Sequence, residues 1–148
     1  MNKKTQLIEA CLEHVNKRIS SYKDEIETIK DAIENNDKSS DEADDPGNGK
    51  LLNDLEKNSL YLNDAYKMMD TLKLINPKLS HDYVALGSLV TTNTTNFFMA
   101  ISLGKVDIDG TSYFVISKSS PIGEQLLHKT TGDSISFNHT SYSITDIK

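Results

Sequence analysis

Carboxylates are concentrated in one short stretch of the sequence, residues 34–50. Within it, Asp41 and Asp44 stand three residues apart, and Glu42 and Asp45 have the same spacing. Either pair could hold a divalent cation through its oxygens, but two carboxylates alone bind Mg²⁺ weakly because the ion keeps several water ligands. The pattern therefore predicts a metal site that is completed in another molecule. A second metal ion held there could activate water and stabilise the leaving oxygen in phosphodiester hydrolysis.

The charge of the chain is concentrated in the same stretch. Residues 34–45 hold six acids and one base, which is −5 of a net charge of −6. The rest of the first 76 residues carries ten basic and ten acidic side chains. A block of like charge repels itself unless a cationic surface meets it, so the pattern indicates either a cationic partner or a solvated loop without function. Duplex DNA is disfavoured as a partner because phosphate binding needs a basic face.

Two helical patterns flank the acidic stretch and must position it. In the first, eight residues repeat at alternating spacings of four and three: Ile8, Leu12, Val15, Ile19, Tyr22, Ile26, Ile29 and Ile33. The second keeps the same spacing at Leu51, Leu55, Asn58, Leu62, Ala65, Met69 and Leu72. This repeat is typical of a left-handed coiled coil. The matching lengths predict an antiparallel two-helix hairpin over residues 1–76, with the acidic loop (about residues 35–50) at its tip, about 40 Å from the termini. The alternative is a parallel dimer through the first pattern.

Single residues refine the hairpin. Asn58 interrupts the second pattern, where it could fix the register by pairing. Asn48 is a candidate N-cap of the second helix, between two glycines that free the turn. Pro77 ends that helix because proline cannot donate a backbone hydrogen bond. The acids Asp41, Glu42, Asp44 and Asp45, called the tip carboxylates below, would then stand in the loop between the helices.

From residue 83 the sequence alternates in the manner of strands. We predict strands at about 84–91, 96–106, 112–116, 134–137 and 141–147, separated by turn residues such as Asp109-Gly110 and Gly132-Asp133. Pro121 opens one short helix. Residues 83–148 are therefore expected to form an antiparallel sheet with one helix, joined through a linker at 77–82, so the chain is α+β. The aromatic residues Phe97, Phe98, Tyr113 and Phe114 are predicted to be core.

Several functional classes lack support in the sequence. The single cysteine, Cys11, excludes a disulfide framework within the chain and is interpreted as a packing residue. The motifs of nucleotide-binding loops, nucleophile elbows and zinc peptidases are absent from the sequence. No apolar run approaches a membrane span, and the first residues lack the apolar core of a secretion signal. We therefore expect a cytoplasmic monomer that contacts no membrane.

One motif agrees with this layout. The segment Ser119–Asp133, SSPIGEQLLHKTTGD, has a Ser-Pro-aliphatic step followed by a Gly-Asp turn, and Gly87-Ser88 precedes the first strand. These residues resemble the C-terminal signature of the Gre transcript-cleavage factors, and the order of hairpin and sheet domain is similar over the whole chain. The resemblance implies an FKBP-like fold for residues 83–148.

The resemblance also implies a function. Gre factors bind bacterial RNA polymerase, with the C-terminal domain at the rim of the secondary channel and the coiled coil inside it. Ser120, Pro121 and Ile122 match the polymerase-contacting motif. The tip carboxylates would help to hold Mg²⁺ in the polymerase active centre, with Asp41 and Asp44 as ligands only in the complex. Backtracked RNA is then cut by the polymerase itself, so the chain would be no enzyme and hold no cofactor of its own, and its contact with nascent RNA would be indirect.

The tip departs from the family motif. Gre cleavage factors carry Asp-Leu-x-Glu-Asn-Ala-Glu-Tyr there, whereas residues 44–51 read DDPGNGKL, with Gly47 in the place of the glutamate. Some relatives inhibit polymerase by placing several tip acids in the channel, and the four tip carboxylates suit that activity as well. Two further alternatives are a prolyl isomerase, because the expected domain is FKBP-like, and a coiled-coil adaptor unrelated to polymerase.

Overall fold

A computed structural model describes residues 2–39 and 46–148, including every side chain except those of residues 37–39, 46 and 47. Three helices and six strands follow one another along the chain: α1 (Lys3–Ser39), α2 (Pro46–Lys73), β1 (Leu89–Thr92), β2 (Asn96–Met99), β3 (Gly104–Ile108), β4 (Thr111–Ile116), α3 (Pro121–Leu126), β5 (Ser134–Phe137) and β6 (Thr140–Ile147). They form two compact units. The hairpin unit is Glu13–Met69, and the sheet unit combines Met1–Leu12 with Asp70–Lys148. The α+β class is confirmed.

The hairpin unit pairs α1 with α2 in antiparallel directions. Arg18 Nη1 lies 3.8 Å from Met68 Sδ, and near the other end Asn36 Nδ2 donates to Asn48 Oδ1 at 3.4 Å, so residue numbers rise along one helix as they fall along the other. Every predicted seam residue of both helices is buried or half-buried, with Val15, Ile29 and Ala65 almost fully inside. The hairpin prediction is therefore confirmed within one chain, and the spacing of four and three is the reason for it.

The helices extend further into the acidic stretch than predicted. α1 continues to Ser39 and α2 begins at Pro46, so residues 40–45 connect them instead of a loop of about a dozen residues. Pro46 suits the first helical position because its fixed φ is helical and its missing N–H is not needed there. Asn48 therefore lies inside α2, and its prediction as the N-cap is wrong. Asn58 makes no pair across the hairpin, since its Nδ2 donates to Asp54 O of its own helix at 2.9 Å.

The sheet unit contains one six-stranded sheet in the order β3-β4-β2-β1-β6-β5. Its pairs are antiparallel except β2–β4, which is parallel, so the wholly antiparallel prediction is wrong at this pair. The predicted strand 96–106 is in fact two strands, because the chain leaves the ladder at residues 100–103 and passes to the sheet edge. A two-residue turn at Asp109-Gly110, both with positive φ, then returns β4 between β3 and β2. That return makes β4 parallel to β2.

The core of the sheet unit is formed by apolar residues from the sheet, α3 and the segment before β1. One cluster of this core has as its buried members Val84, Val90, Phe97, Met99, Leu126, Ile135 and Ile144. Three of the four predicted core aromatics, Phe97, Phe98 and Tyr113, are buried, but Phe114 is 41% exposed. Neighbouring strand residues point to opposite faces, and Tyr113 and Val115 take the inward positions of β4.

The first turns of α1 belong to the sheet unit. Leu7 and Cys11 have no exposed surface, which confirms Cys11 as a packing residue. Asn2 Nδ2 donates to Pro77 O at 3.1 Å, and Lys4 Nζ donates to Leu79 O at 2.8 Å. These bonds hold the segment after α2 against the start of α1. In the described part of the chain, no helix combines the length and apolar character needed to cross a bilayer.

Candidate functional site

The four tip carboxylates, Asp41, Glu42, Asp44 and Asp45, lie outside the described residues, so their role stays a prediction. The structure does describe the helix ends that flank them. The bond between Asn36 and Asn48 joins the helices close to those ends. The first turn of α2 carries no acidic residue. Any carboxylate metal site between the helices would therefore draw its ligands from before Pro46 rather than from the start of α2.

Aromatic side chains support the middle of the hairpin unit. The rings of Tyr22 and Tyr61 pack with centroids 5.6 Å apart, and Lys23 Nζ lies 5.8 Å from the centroid of the Tyr66 ring. Each contact joins α1 to α2, and the tilted ring pair and the cation–π attraction add specificity beyond the burial of area. These contacts on the flanks of the hairpin unit help to keep α1 and α2 in register.

The predicted partner-binding residues occur together at the start of α3. Ser120 is the N-cap, with extended φ and ψ of −69° and 156°, and its Oγ accepts from Gly123 N at 3.1 Å. Pro121 occupies the first turn and is exposed, whereas Ile122 is half-buried against the core. The three residues therefore differ in what they can do. Ser120 and Ile122 have structural roles, and Pro121 is the side chain that faces solvent.

Two residues that the sequence analysis did not single out fix this helix start. Ser117 O accepts from Ser120 N at 3.1 Å and from Ser120 Oγ at 2.7 Å. Gly123 is buried, and a Cβ added to it would lie 1.9 Å from Ser117 O. Only glycine fits such a close approach. A glycine three residues after the N-cap serine is the sequence signal that could have indicated it.

The Gly-Asp turn after α3 is closed by hydrogen bonds. Asp133 Oδ2 accepts from Thr130 N at 2.8 Å and from Thr130 Oγ1 at 3.1 Å. These bonds stabilise the carboxylate and lower the pKa of Asp133 below its usual value. Gly132 N also donates to Ile144 O at 2.9 Å, which attaches the turn to β6. Within the motif of residues 119–133, these bonds account for the roles of Thr130, Gly132 and Asp133 in closing the turn.

The described residues contain no enzyme-like metal site. No group of three or more His, Cys, Asp or Glu residues among them is arranged to hold a metal ion. Burial raises the pKa of the Cys11 thiol to about 11, so it is protonated and unreactive at neutral pH.

Comparison with known proteins finds similarity in structure only. No protein-family model and no curated protein sequence matches the chain. The crystal structure of GreA factor homolog 1 (Gfh1) of Thermus thermophilus is similar over 92% of this chain and 93% of that chain, with 17% identity and a TM-score of 0.36. A structure of the transcription factor Gfh1 is similar over 91% of each chain, with 18% identity and a TM-score of 0.38. Gfh1 is thus a structural neighbour of this chain at low sequence identity.

Proposed function

We propose that this protein is a transcription elongation factor that binds RNA polymerase and inserts its hairpin unit into the secondary channel. The observation that carries the proposal is the antiparallel hairpin, whose helices end at Ser39 and begin at Pro46, on either side of the tip carboxylates. From Glu13 to Ser39 the helix is about 40 Å long at the usual rise per residue. A narrow rod of that length can carry carboxylates into a channel that a globular domain could not enter.

The tip carboxylates act on the polymerase's Mg²⁺ and not on a metal of this chain. Together with polymerase side chains, Asp41 and Asp44 would complete the ligand set of an ion that keeps several waters when held by two carboxylates alone. When bound there, such an ion would supply activation of water and stabilisation of the leaving oxygen for cleavage of backtracked RNA by the polymerase. The chain is then a monomeric cytoplasmic factor with no enzymatic activity of its own. Its contact with nascent RNA is indirect.

The sheet unit supplies the docking surface. Pro121 is exposed at the start of α3, while the Ser120 cap and the buried Gly123 fix its position. A rigid, exposed proline beside a capped helix start presents the same shape at every encounter, which lowers the entropic cost of binding. The resemblance of residues 119–133 to the Gre signature supports this assignment.

A second candidate function is inhibition of polymerase by the same hairpin. It is favoured by the lack of any acidic residue in the first turn of α2, where the cleavage factors carry a glutamate. Without that ligand, the tip carboxylates could occupy the active centre and sequester the ion in an unproductive geometry. Both candidates share the partner and the position of the hairpin and differ in the geometry at the metal.

The test is RNA cleavage by a stalled, backtracked polymerase complex from the same organism, with and without the protein at saturating Mg²⁺. Three variants make it specific. The tip variant replaces the four tip carboxylates with alanine. The matched control replaces four exposed acids on α1 with alanine, which gives the same change of charge: Asp24, Glu25, Glu27 and Asp31. The third, Ile29→Asp, buries an unpaired charge at a seam position that is 4% exposed and should unfold the hairpin.

Cleavage factors and inhibitors give opposite results in this assay. Faster cleavage that the tip variant loses and the control keeps supports the first function. Slower cleavage or elongation, again lost in the tip variant alone, supports inhibition. Absence of binding to core polymerase by the unmodified chain would refute both. A tip variant that melts like Ile29→Asp would show that the tip is structural.

A further inference from the structure

A cavity of about 250 Å³ in the sheet unit is surrounded by lysines. It lies where the start of α1, the segment after α2 and the end of β6 meet. Lys3, Lys4, Lys78 and Lys148 contribute to its wall, and no acidic residue does so among those described. Lys3 Nζ pairs with Asp109 Oδ2 at 3.4 Å, and the Asp109 side chain is 73% exposed. The side chains that line the cavity therefore carry a net positive charge.

The burial of Lys4 makes this positive charge unfavourable for the stability of the fold. Lys4 is only 5% exposed, and its ammonium donates to the neutral Leu79 O without a carboxylate partner in the described part of the chain. Desolvation by burial lowers the pKa of Lys4, as expected for a cation without a nearby anion. A buried charge normally has a partner of opposite sign, because an isolated one loses its hydration without compensation.

The start of α1 adds further positive charge at the cavity. Asn2 caps the helix, with its Oδ1 accepting from Thr5 N at 2.7 Å, and the first turn holds Lys3 and Lys4 but no acid. The N-terminus of a helix carries a partial positive charge, so acids are stabilising there and lysines are not. Two lysines at this place, one of them buried, disfavour the folded state unless an anion is bound nearby. Helix starts with free backbone N–H groups also bind anions well.

We propose that this lysine cavity binds the phosphate group of a small molecule. A phosphate carries more negative charge than one carboxylate and offers several acceptor oxygens, which suits a cavity lined by lysines from three segments of the chain. The volume lies just below the range of about 300–1,000 Å³ that holds drug-sized ligands, so it fits a phosphate or pyrophosphate group rather than a whole large ligand. The bound group would connect residues 2–4 to residues 77–80.

The experiment is a titration of the full-length, ¹⁵N-labelled chain by NMR, at constant ionic strength maintained with chloride. Inorganic phosphate, pyrophosphate and a nucleoside triphosphate are added separately to distinguish a free anion from a nucleotide as the source of the group. The site variant combines Lys78→Ala with Lys148→Ala, both at exposed positions, so that the fold is retained. The matched control combines Lys105→Ala with Lys118→Ala, exposed lysines of the same unit that do not line the cavity.

At least one of the phosphates should cause saturable shifts of the amide signals of residues 2–5, 78–80 and 89. The site variant should bind about tenfold more weakly, as expected for two lost charge-assisted contacts, and the control within about twofold of the unmodified chain. Lys4→Met, which keeps the apolar stem, should abolish saturation. Shifts that chloride alone reproduces, an equal loss in the control variant, or no saturable shift with any of the three ligands would overturn the proposal.

Discussion

Replacing Gly123 with alanine should show how strongly the start of α3 depends on one missing side chain. The new Cβ would lie 1.9 Å from Ser117 O and 2.8 Å from Ser120 Oγ, whereas ordinary van der Waals contacts begin near 3.4 Å. Ser117 O belongs to the backbone and cannot rotate away. The turn before the helix must therefore move by more than 1 Å, because 1.9 Å is well short of an ordinary contact distance of 3.4 Å.

The magnitude follows from the hydrogen bonds that such a movement breaks. Ser117 O accepts two bonds from Ser120, at 3.1 and 2.7 Å, and each contributes about 1 kcal/mol. Loss of the cap bond from Gly123 N to Ser120 Oγ costs about 1 kcal/mol more. The sheet unit should therefore lose about 3 kcal/mol. With a denaturant slope of about 1.5 kcal/mol per M, the urea midpoint should fall by about 2 M.

The assay is urea unfolding followed by amide signals of the buried residues Leu126 and Val84, which report on the sheet unit and not on the hairpin. Gln125→Ala is the matched control, because Gln125 is exposed on the same helix and alanine is an equally good helix former. If Gly123→Ala unfolded at the same urea concentration as the unmodified chain, the close approach to Ser117 would carry no energetic weight. If Gly123→Ala lowered the urea midpoint as expected but bound polymerase as well as the unmodified chain, the proposed docking role of this corner would lose its support.

Three further predictions concern other parts of the chain. Cys11 should not react with a thiol reagent at pH 8 until the protein is unfolded in urea, because it is buried and its pKa is raised to about 11. Asp133→Ala should lower stability at neutral pH, and its difference from the unmodified chain in urea melts should vanish as pH falls through the lowered carboxyl pKa, since the ionised form makes the bonds to Thr130. Gly49→Ala should raise the stability of the hairpin by about 1 kcal/mol in thermal melts, because Gly49 is helical with open space around it; a decrease would contradict this.

The long-range features of the fold could be predicted because they depend on repeated patterns. The 4-3 spacing from Ile8 to Ile33 defines one buried face on α1, and the same spacing from Leu51 to Leu72 defines one on α2. The break between β2 and β3 could not be predicted from apolar pattern, since Ala100 and Ile101 are buried as strand residues would be. Only the hydrogen bonds show that the chain turns there, with Ala100 N donating to Ile116 O at 2.7 Å and Leu103 N to Ile101 O at 3.0 Å.

The candidate site was predicted only in part, for physical reasons that differ between residues. Ser120 and Pro121 are a recognisable cap and first-turn pair, so their positions followed from the sequence. The Asn58 side chain can donate to several acceptors, and it bonds to Asp54 O of its own helix rather than to a residue of α1. Lys4 could not be predicted as buried, because its aliphatic stem packs like an apolar residue while its type indicates solvent.

The sheet unit is discontinuous in sequence, and this affects how the chain is made. Met1–Leu12 completes a unit whose remaining residues begin at Asp70 and include β6 (Thr140–Ile147). At about 5–20 residues per second, a ribosome needs roughly 7–27 s to proceed from Leu12 to the end of β6 at Ile147. During that time the buried residues Leu7 and Cys11 lack the rest of their unit. Glu13–Met69 contains both helices of its own seam and can therefore fold first. In a newly made chain, the hairpin unit should therefore fold before the first turns of α1 pack into the sheet unit.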